Sequence, residues 1–219
     1  MKSTITLADV EHMKGALRAS LPHVKSSHRV EALARGLGWQ TNASLRVALV
    51  AAPTEVSPDE SAFLGYLREH SFDAPGGSLV RAFAQAGVRR ALDLEPALSS
   101  FGYRVPIDRN ETFEEADTRF LASRAEMLEL HGIDEFIRAA AFLSKFGRRK
   151  SMNRTRSSYG LKHDAERMSG DYVANGMMIA AALAMGFFAE RTHSGSPNAH
   201  FNISSKEISV AGATRSGAV

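Results

Sequence analysis

The chain has 219 residues, 44% of them hydrophobic and 23% charged, which suits one large domain or two small ones with a sizeable core and excludes wholesale disorder. It has no cysteine, so a disulfide framework, a thiolate metal site and a cysteine nucleophile are excluded. The net charge of +3 does not compel nucleic-acid binding, yet the charges are unevenly placed. Lys145, Arg148, Arg149, Lys150, Arg154, Arg156 and Lys162 follow one another with no acid between them, while Glu111, Glu114, Glu115 and Asp117 form an acidic cluster.

In chain order, Thr6 is placed to cap a first helix running to about Ser20, with Leu7, Val10, Met13 and Leu17 at helical spacing and Pro22 ending it. Ser26 and Ser27 open a second helix whose apolar face is Val30, Leu33, Ala34 and Leu37. Gly38 then turns the chain, and Thr41 or Asn42 caps a third helix through Leu45, Ala48 and Leu49. Ser57, Pro58 and Glu60 read as a capping box for the next helix, which carries Phe63, Tyr66 and Leu67 and fails before Ala74-Pro75-Gly76-Gly77. Ser78 starts another, through Leu79, Val80, Phe83 and Ala86. The pattern then weakens, with helical turns expected near Leu92 and Leu98 and a short strand over 102–107. Asn110 is expected to cap an acidic helix stopped by Gly132. Asp134 is expected to cap the next, with Phe136, Ile137, Ala140, Leu143 and Phe146 on one face and Gly147 as terminator.

The basic segment that follows reads as a loop. After it come a helix from about Ser158 to Met168, an Ala- and Met-rich helix from about Val173 to Phe187, and an irregular stretch or single strand from Pro197 to Ser205. The expected fold is therefore mainly α: a compact multi-helix domain with a small N-terminal helical hairpin module and at most one or two short strands. The expected division is 1–53 for that module, 54–205 for the helical main domain and 206–219 for a flexible tail. The longest apolar run, 177–189, is broken by Gly186 and falls short of the ~20 residues that span a bilayer. Residues 1–15 hold no apolar stretch of signal-peptide length. No membrane insertion and a cytoplasmic location are expected, so the Asn-X-Ser/Thr matches at Asn42, Asn110, Asn153 and Asn202 carry no weight as glycosylation sites.

Four segments carry possible chemistry. Residues 28–49 have the helix–Gly–helix rhythm of a helix-turn-helix, with Arg29, Arg35, Trp39, Thr41, Asn42 and Arg46 as the nucleic-acid candidates. Against a DNA reader, Ser44 falls where an apolar residue is wanted, and Trp39 occupies a turn position that normally takes a small one. The second segment is the basic run, where arginine forks suit phosphate or carboxylate. Arg148, Arg149, Lys150, Met152, Asn153, Arg154, Arg156, Tyr159 and Lys162 are its candidate partner-binding residues. In the third, Tyr159 to Glu166, Lys162 and Glu166 read as an i,i+4 surface pair, and an enzyme built on Tyr159, Lys162 and His163 is the least favoured reading. The fourth, Tyr172-Val173-Ala174-Asn175-Gly176 before the Ala-rich helix, reads as core packing, and 196–202 as a polar loop that caps helix ends. No Walker loop, dinucleotide fingerprint, zinc-helix pair or serine elbow is present, and no cofactor is expected.

The stretches Arg149-Lys150-Ser151-Met152-Asn153-Arg154, Ser158-Tyr159-Gly160-Leu161-Lys162-His163, Tyr172 to Gly176, Gly186-Phe187, Pro197-Asn198 and Phe201-Asn202 make residues 148–204 similar to accessory proteins of conjugative plasmids and integrative elements. Ser27-His28 to Leu45 looks like a small helical module of mobile-element proteins. In that setting the chain resembles a fertility-inhibition factor. The resemblance implies a non-enzymatic protein that binds a protein partner, the coupling ATPase of a type IV secretion system, and so inhibits conjugative transfer. A nucleic-acid-binding regulator using the hairpin and the basic run is the alternative.

Overall fold

The computed structural model describes residues 1–104 and 107–207. Among them the elements in order are β1 (Ser3–Ile5), α1 (Leu7–Ser20), α2 (Ser26–Gly36), α3 (Asn42–Ala51), β2 (Thr54–Val56), α4 (Glu60–Glu69), α5 (Ser78–Leu94), β3 (Leu98–Ser99), β4 (Gly102–Tyr103), α6 (Phe113–Glu126), α7 (Leu130–Leu143), β5 (Phe146–Ser157), α8 (Ser158–Ser169), α9 (Asn175–Ala184), β6 (Ala189–Arg191) and β7 (Ala199–Glu207). The protein is mainly α, but its strands form three small antiparallel sheets, more than the one or two short strands expected. These are β1–β2, β3–β4 and the three-stranded β5–β7–β6. No described helix is long and apolar enough to cross a membrane.

Two apolar clusters organise the packing, and α5 belongs to both. Its Leu79, Ala82, Phe83 and Ala86 pack with α1 to α4 around Leu17, Leu33, Leu45 and Phe63. Its Ala84, Val88, Ala91 and Leu92 pack with α7, α8 and α9 around Phe136, Leu161, Met178 and Phe201. The first cluster thus continues past the division expected at residue 53, which the pairing of Ser3 with Val56 also crosses. Arg90 of α5 ties the two halves together. Its guanidinium donates to Asp9 Oδ2 (2.8 Å), Ser3 Oγ (2.6 Å) and the Ala184 carbonyl (2.9 Å).

Thr6 and Thr41 cap α1 and α3 with reciprocal capping boxes through Asp9 and Ser44. The expected box at Ser57 is replaced by another arrangement. Asp59 caps α4, Ser57 donates to the Met1 carbonyl, and Glu60 instead accepts from the N–H groups of Leu79 and Val80 at the start of α5. That start has Gly77 at the cap with φ +83° and no side-chain acceptor of its own, so the neighbouring helix supplies one. Thr112, not Asn110, caps α6. Helix α7 begins at Leu130 rather than Asp134. Gly132 lies inside it instead of ending α6, and glycine is needed there because the α6–α7 turn folds so tightly that a Cβ would come 2.7 Å from the Glu126 carbonyl oxygen. Gly147 lies in β5. Of the expected tail, residues beyond 207 lie outside the described residues, as do 105 and 106 of the strand expected over 102–107.

Candidate functional site

The basic run is not a loop but a long edge strand. β5 pairs along one side with β7, through Phe146–Glu207, Arg148–Ile203, Asn153–Phe201 and Ser157–His200, with register shifts between each. No described strand pairs with its other side. Phe146 and Asn153 are buried, and the four residues Arg148, Arg149, Lys150 and Ser151 are exposed in succession. Both faces of the strand are therefore open there, so the sequence shows no alternation of apolar and polar residues.

The cations of this strand differ in how free they are. Arg148 lies 3.6 Å from Glu55 of β2, Arg154 Nη2 reaches both carboxylate oxygens of Glu190 of β6 at 2.9 and 3.0 Å, and Arg156 pairs with Asp164 of α8. Among the described residues, the Arg149 side chain has a hydrogen bond to Ser151 (3.2 Å) and no ion-pair partner, and Lys150 has no ion-pair partner either. Two of the expected partner-binding residues are not available to a partner. Asn153 is 3% exposed. Its amide nitrogen donates to the Ile203 carbonyl and Ser205, and its oxygen accepts from Thr155, which pins the irregular register between β5 and β7. Lys162 is 5% exposed and holds Glu166 at 2.8 Å and the Val173 carbonyl at 3.1 Å. Met152 is half-buried and Tyr159 exposed, on different elements.

Most candidate side chains of the α2–α3 hairpin are engaged within the protein, several of them with α1 and the turn after it. Arg29 donates to the carbonyls of Leu21 and Val24 beyond the end of α1, Arg35 to Gln40, and Arg46 pairs with Glu11 at 3.2 Å. Trp39 packs against the N-terminal core, Thr41 caps α3, and the Asn42 N–H donates to Glu31. The exposed side of α3 presents Val47 and Val50, each over 70% exposed, where a groove-reading helix needs hydrogen-bonding side chains.

A second feature was not assembled from sequence. A cleft of about 650 Å³ opens between the β3–β4 turn, the α6–α7 turn, α7, α8, the start of α9 and residues 197–198. Tyr159 and Lys162 of α8, Tyr172, Ala174 and Asn175 before and at α9, and Pro197 and Asn198 line it from three separate segments. Phe101, Glu126, His131 and Glu135 complete it. Asn175 fixes this geometry, donating from Nδ2 to the Phe101 and Pro197 carbonyls and to Asn198 Oδ1 at 3.0–3.1 Å. Its own Oδ1 accepts from Ser158, which in turn accepts from the Ala199 N–H. Glycine makes the close approach possible, since a Cβ at Gly176 would run into the Ser99 carbonyl and one at Gly102 into the Pro197 carbonyl.

The cleft's electrostatics are uneven. Burial pushes the Glu135 carboxyl above its ordinary range, and the Ala174 N–H, His131, Arg138 and Lys162 only partly offset it. For Glu166 burial also raises the carboxyl, but the Lys162 ammonium, the Val173 N–H and His163 outweigh it and hold it low. Lys162 Nζ lies 4.6 Å from the Tyr172 ring centroid and 5.6 Å from that of Tyr159, so both rings already offer their faces to a cation. His163 bonds Glu166 (2.6 Å), and no described cluster of His, Asp and Glu could hold a metal ion. The segment 159–166 is thus held by ion pairs, and of its polar groups Tyr159 and Lys162 reach the cleft wall. Glu135 was missed because it lies unmarked within an apolar helix pattern. Asn175 had one local signal, an Asn-Gly pair directly ahead of an otherwise apolar helix.

Comparisons with protein-family models, with curated proteins and with solved structures return no match.

Proposed function

We propose that the protein works in the cytoplasm as a non-catalytic inhibitor that docks an acidic segment of a partner protein along the open edge of β5. The single observation behind this reading is the exposed run Arg148 to Ser151 on a strand whose outer side has no described pairing partner. An extended partner segment can add as a further strand there, with main-chain hydrogen bonds giving affinity and Arg149 and Lys150 favouring carboxylates. The resemblance read from the sequence motifs of residues 148–204 points this proposal to the coupling ATPase of type IV secretion as the partner, and to inhibition of conjugative transfer as the outcome. Three of the strand's arginines already face Glu55, Glu190 and Asp164, which reduces the phosphate-binding charge a nucleic-acid regulator would need.

A pull-down with the purified cytoplasmic domain of a coupling ATPase tests the reading. Retention that weakens with added salt and is lost in the Arg149→Ala/Lys150→Ala variant is expected. No retention, together with a salt-sensitive shift of labelled duplex DNA, would favour the regulator instead.

A further inference from the structure

Three segments that stand apart in the sequence, 158–163, 172–176 and 197–198, meet at the cleft, and the docking role of β5 uses none of its walls. The cleft is preformed. Asn175, 94% buried, bonds all three sides of it, and Gly102, Gly132 and Gly176 let the backbone close in where a Cβ would collide. Its volume lies in the range of small-molecule sites.

The lining states what chemistry would fit. Glu126 and Glu135 are its carboxylates, and Glu135 has no ion-pair partner among the described residues. Its Oε2 accepts from the Ala174 N–H at 2.8 Å. Lys162 is the lining lysine, and its charge is already spent on Glu166. An anion would therefore meet two carboxylates, with His131 as the remaining lining group that can oppose them. Around the mouth stand Phe101, Tyr159 and Tyr172, all more than half exposed; Lys162 takes one approach to the two tyrosine rings, while no cation lies over the Phe101 ring among the described residues. Exposed aromatic faces beside an unpaired, partly desolvated carboxylate are the arrangement that holds an alkylammonium or guanidinium group. We propose that this cleft binds a small organic cation, with Glu135 as its counter-charge and Phe101, Tyr159 and Tyr172 as its aromatic wall.

Titration calorimetry of the full chain with choline and with agmatine, and with benzoate as the anionic probe, tests this. At least one cation should bind with Kd at or below about 1 mM, and benzoate should give no heat of binding. Glu135→Gln keeps an oxygen for the Ala174 N–H but removes the charge, and should weaken the cation roughly tenfold. Tyr172→Ala, at an exposed side chain, should weaken it several-fold without changing the melting temperature. The Arg149→Ala/Lys150→Ala variant should bind as wild type does, which separates this site from the docking edge. No binding of either cation at about 10 mM, binding of benzoate as tight as that of the cations, or cation binding unchanged in both Glu135→Gln and Tyr172→Ala would each overturn the proposal.

Discussion

Ser158 donates its hydroxyl to Asn175 Oδ1 at 2.7 Å, and both side chains are buried. The pair joins the first turn of α8 to the first residue of α9, and through the other bonds of Asn175 it fixes the β3–β4 turn and residues 197–198. Asn175→Ala should leave several buried groups unpaired, at about 1–3 kcal/mol for each. Asn175→Asp should be nearly as damaging despite its equal size, because a carboxylate cannot donate to the carbonyls of Phe101 and Pro197. Urea unfolding should show both losses as lower midpoints with an unchanged slope.

The junction of the two cores makes a second prediction. Asp9 is 2% exposed and accepts from Arg90 and from Thr6. Asp9→Ala would strand a partly buried guanidinium and remove the reciprocal cap of α1, with a destabilisation of about 3–5 kcal/mol. Arg46→Ala, at the exposed pair with Glu11, should change stability by less than about 1 kcal/mol. Similar losses in the two variants would mean that Arg90 does not join the halves.

Glu60 caps a helix other than its own. Glu60→Ala should cost about 1 kcal/mol by freeing the N–H groups of Leu79 and Val80, whereas Ser57→Ala should cost less. The reverse order in thermal melts would restore the capping box at Ser57.

The raised carboxyl of Glu135 predicts a pH dependence. The folded protein holds this proton more tightly than the unfolded chain, so its contribution is fully present below the ordinary carboxylate range. It is lost as pH rises through the folded value. His131, Arg138 and Lys162 face the group and moderate the effect. Glu135→Gln should therefore be more stable than wild type at neutral pH and converge with it in acid. Parallel urea midpoints across that range would remove the desolvation argument.

Much of the helical frame was legible because Thr6 and Thr41 cap with their own neighbours, and because α2 and α4 carry one apolar face each. What escaped depends on distant residues. β5 shows no period because residues 148–151 are open on both faces, so its strand character comes from pairing with β7, some 50 residues later. Gly132 carries the sequence signature of a terminator, but lies inside α7, where it is a glycine because the Glu126 and Met127 carbonyls leave no room for a Cβ. The cleft was split between a motif read as a helix-surface pair, one read as core and a loop. Lys162 and Glu166 do pair, but at 7% and 20% side-chain exposure rather than on an open surface.

The docking edge is tested most directly by plasmid transfer frequency in a mating assay, with the wild-type protein or the Arg149→Ala/Lys150→Ala variant expressed in the donor. Both side chains are exposed, so stability should stay within about 0.5 kcal/mol per residue. The account predicts that wild type lowers transfer and that the folded variant does not. A folded variant that inhibits as strongly as wild type, or a wild-type protein without effect on any conjugation system tried, would contradict it.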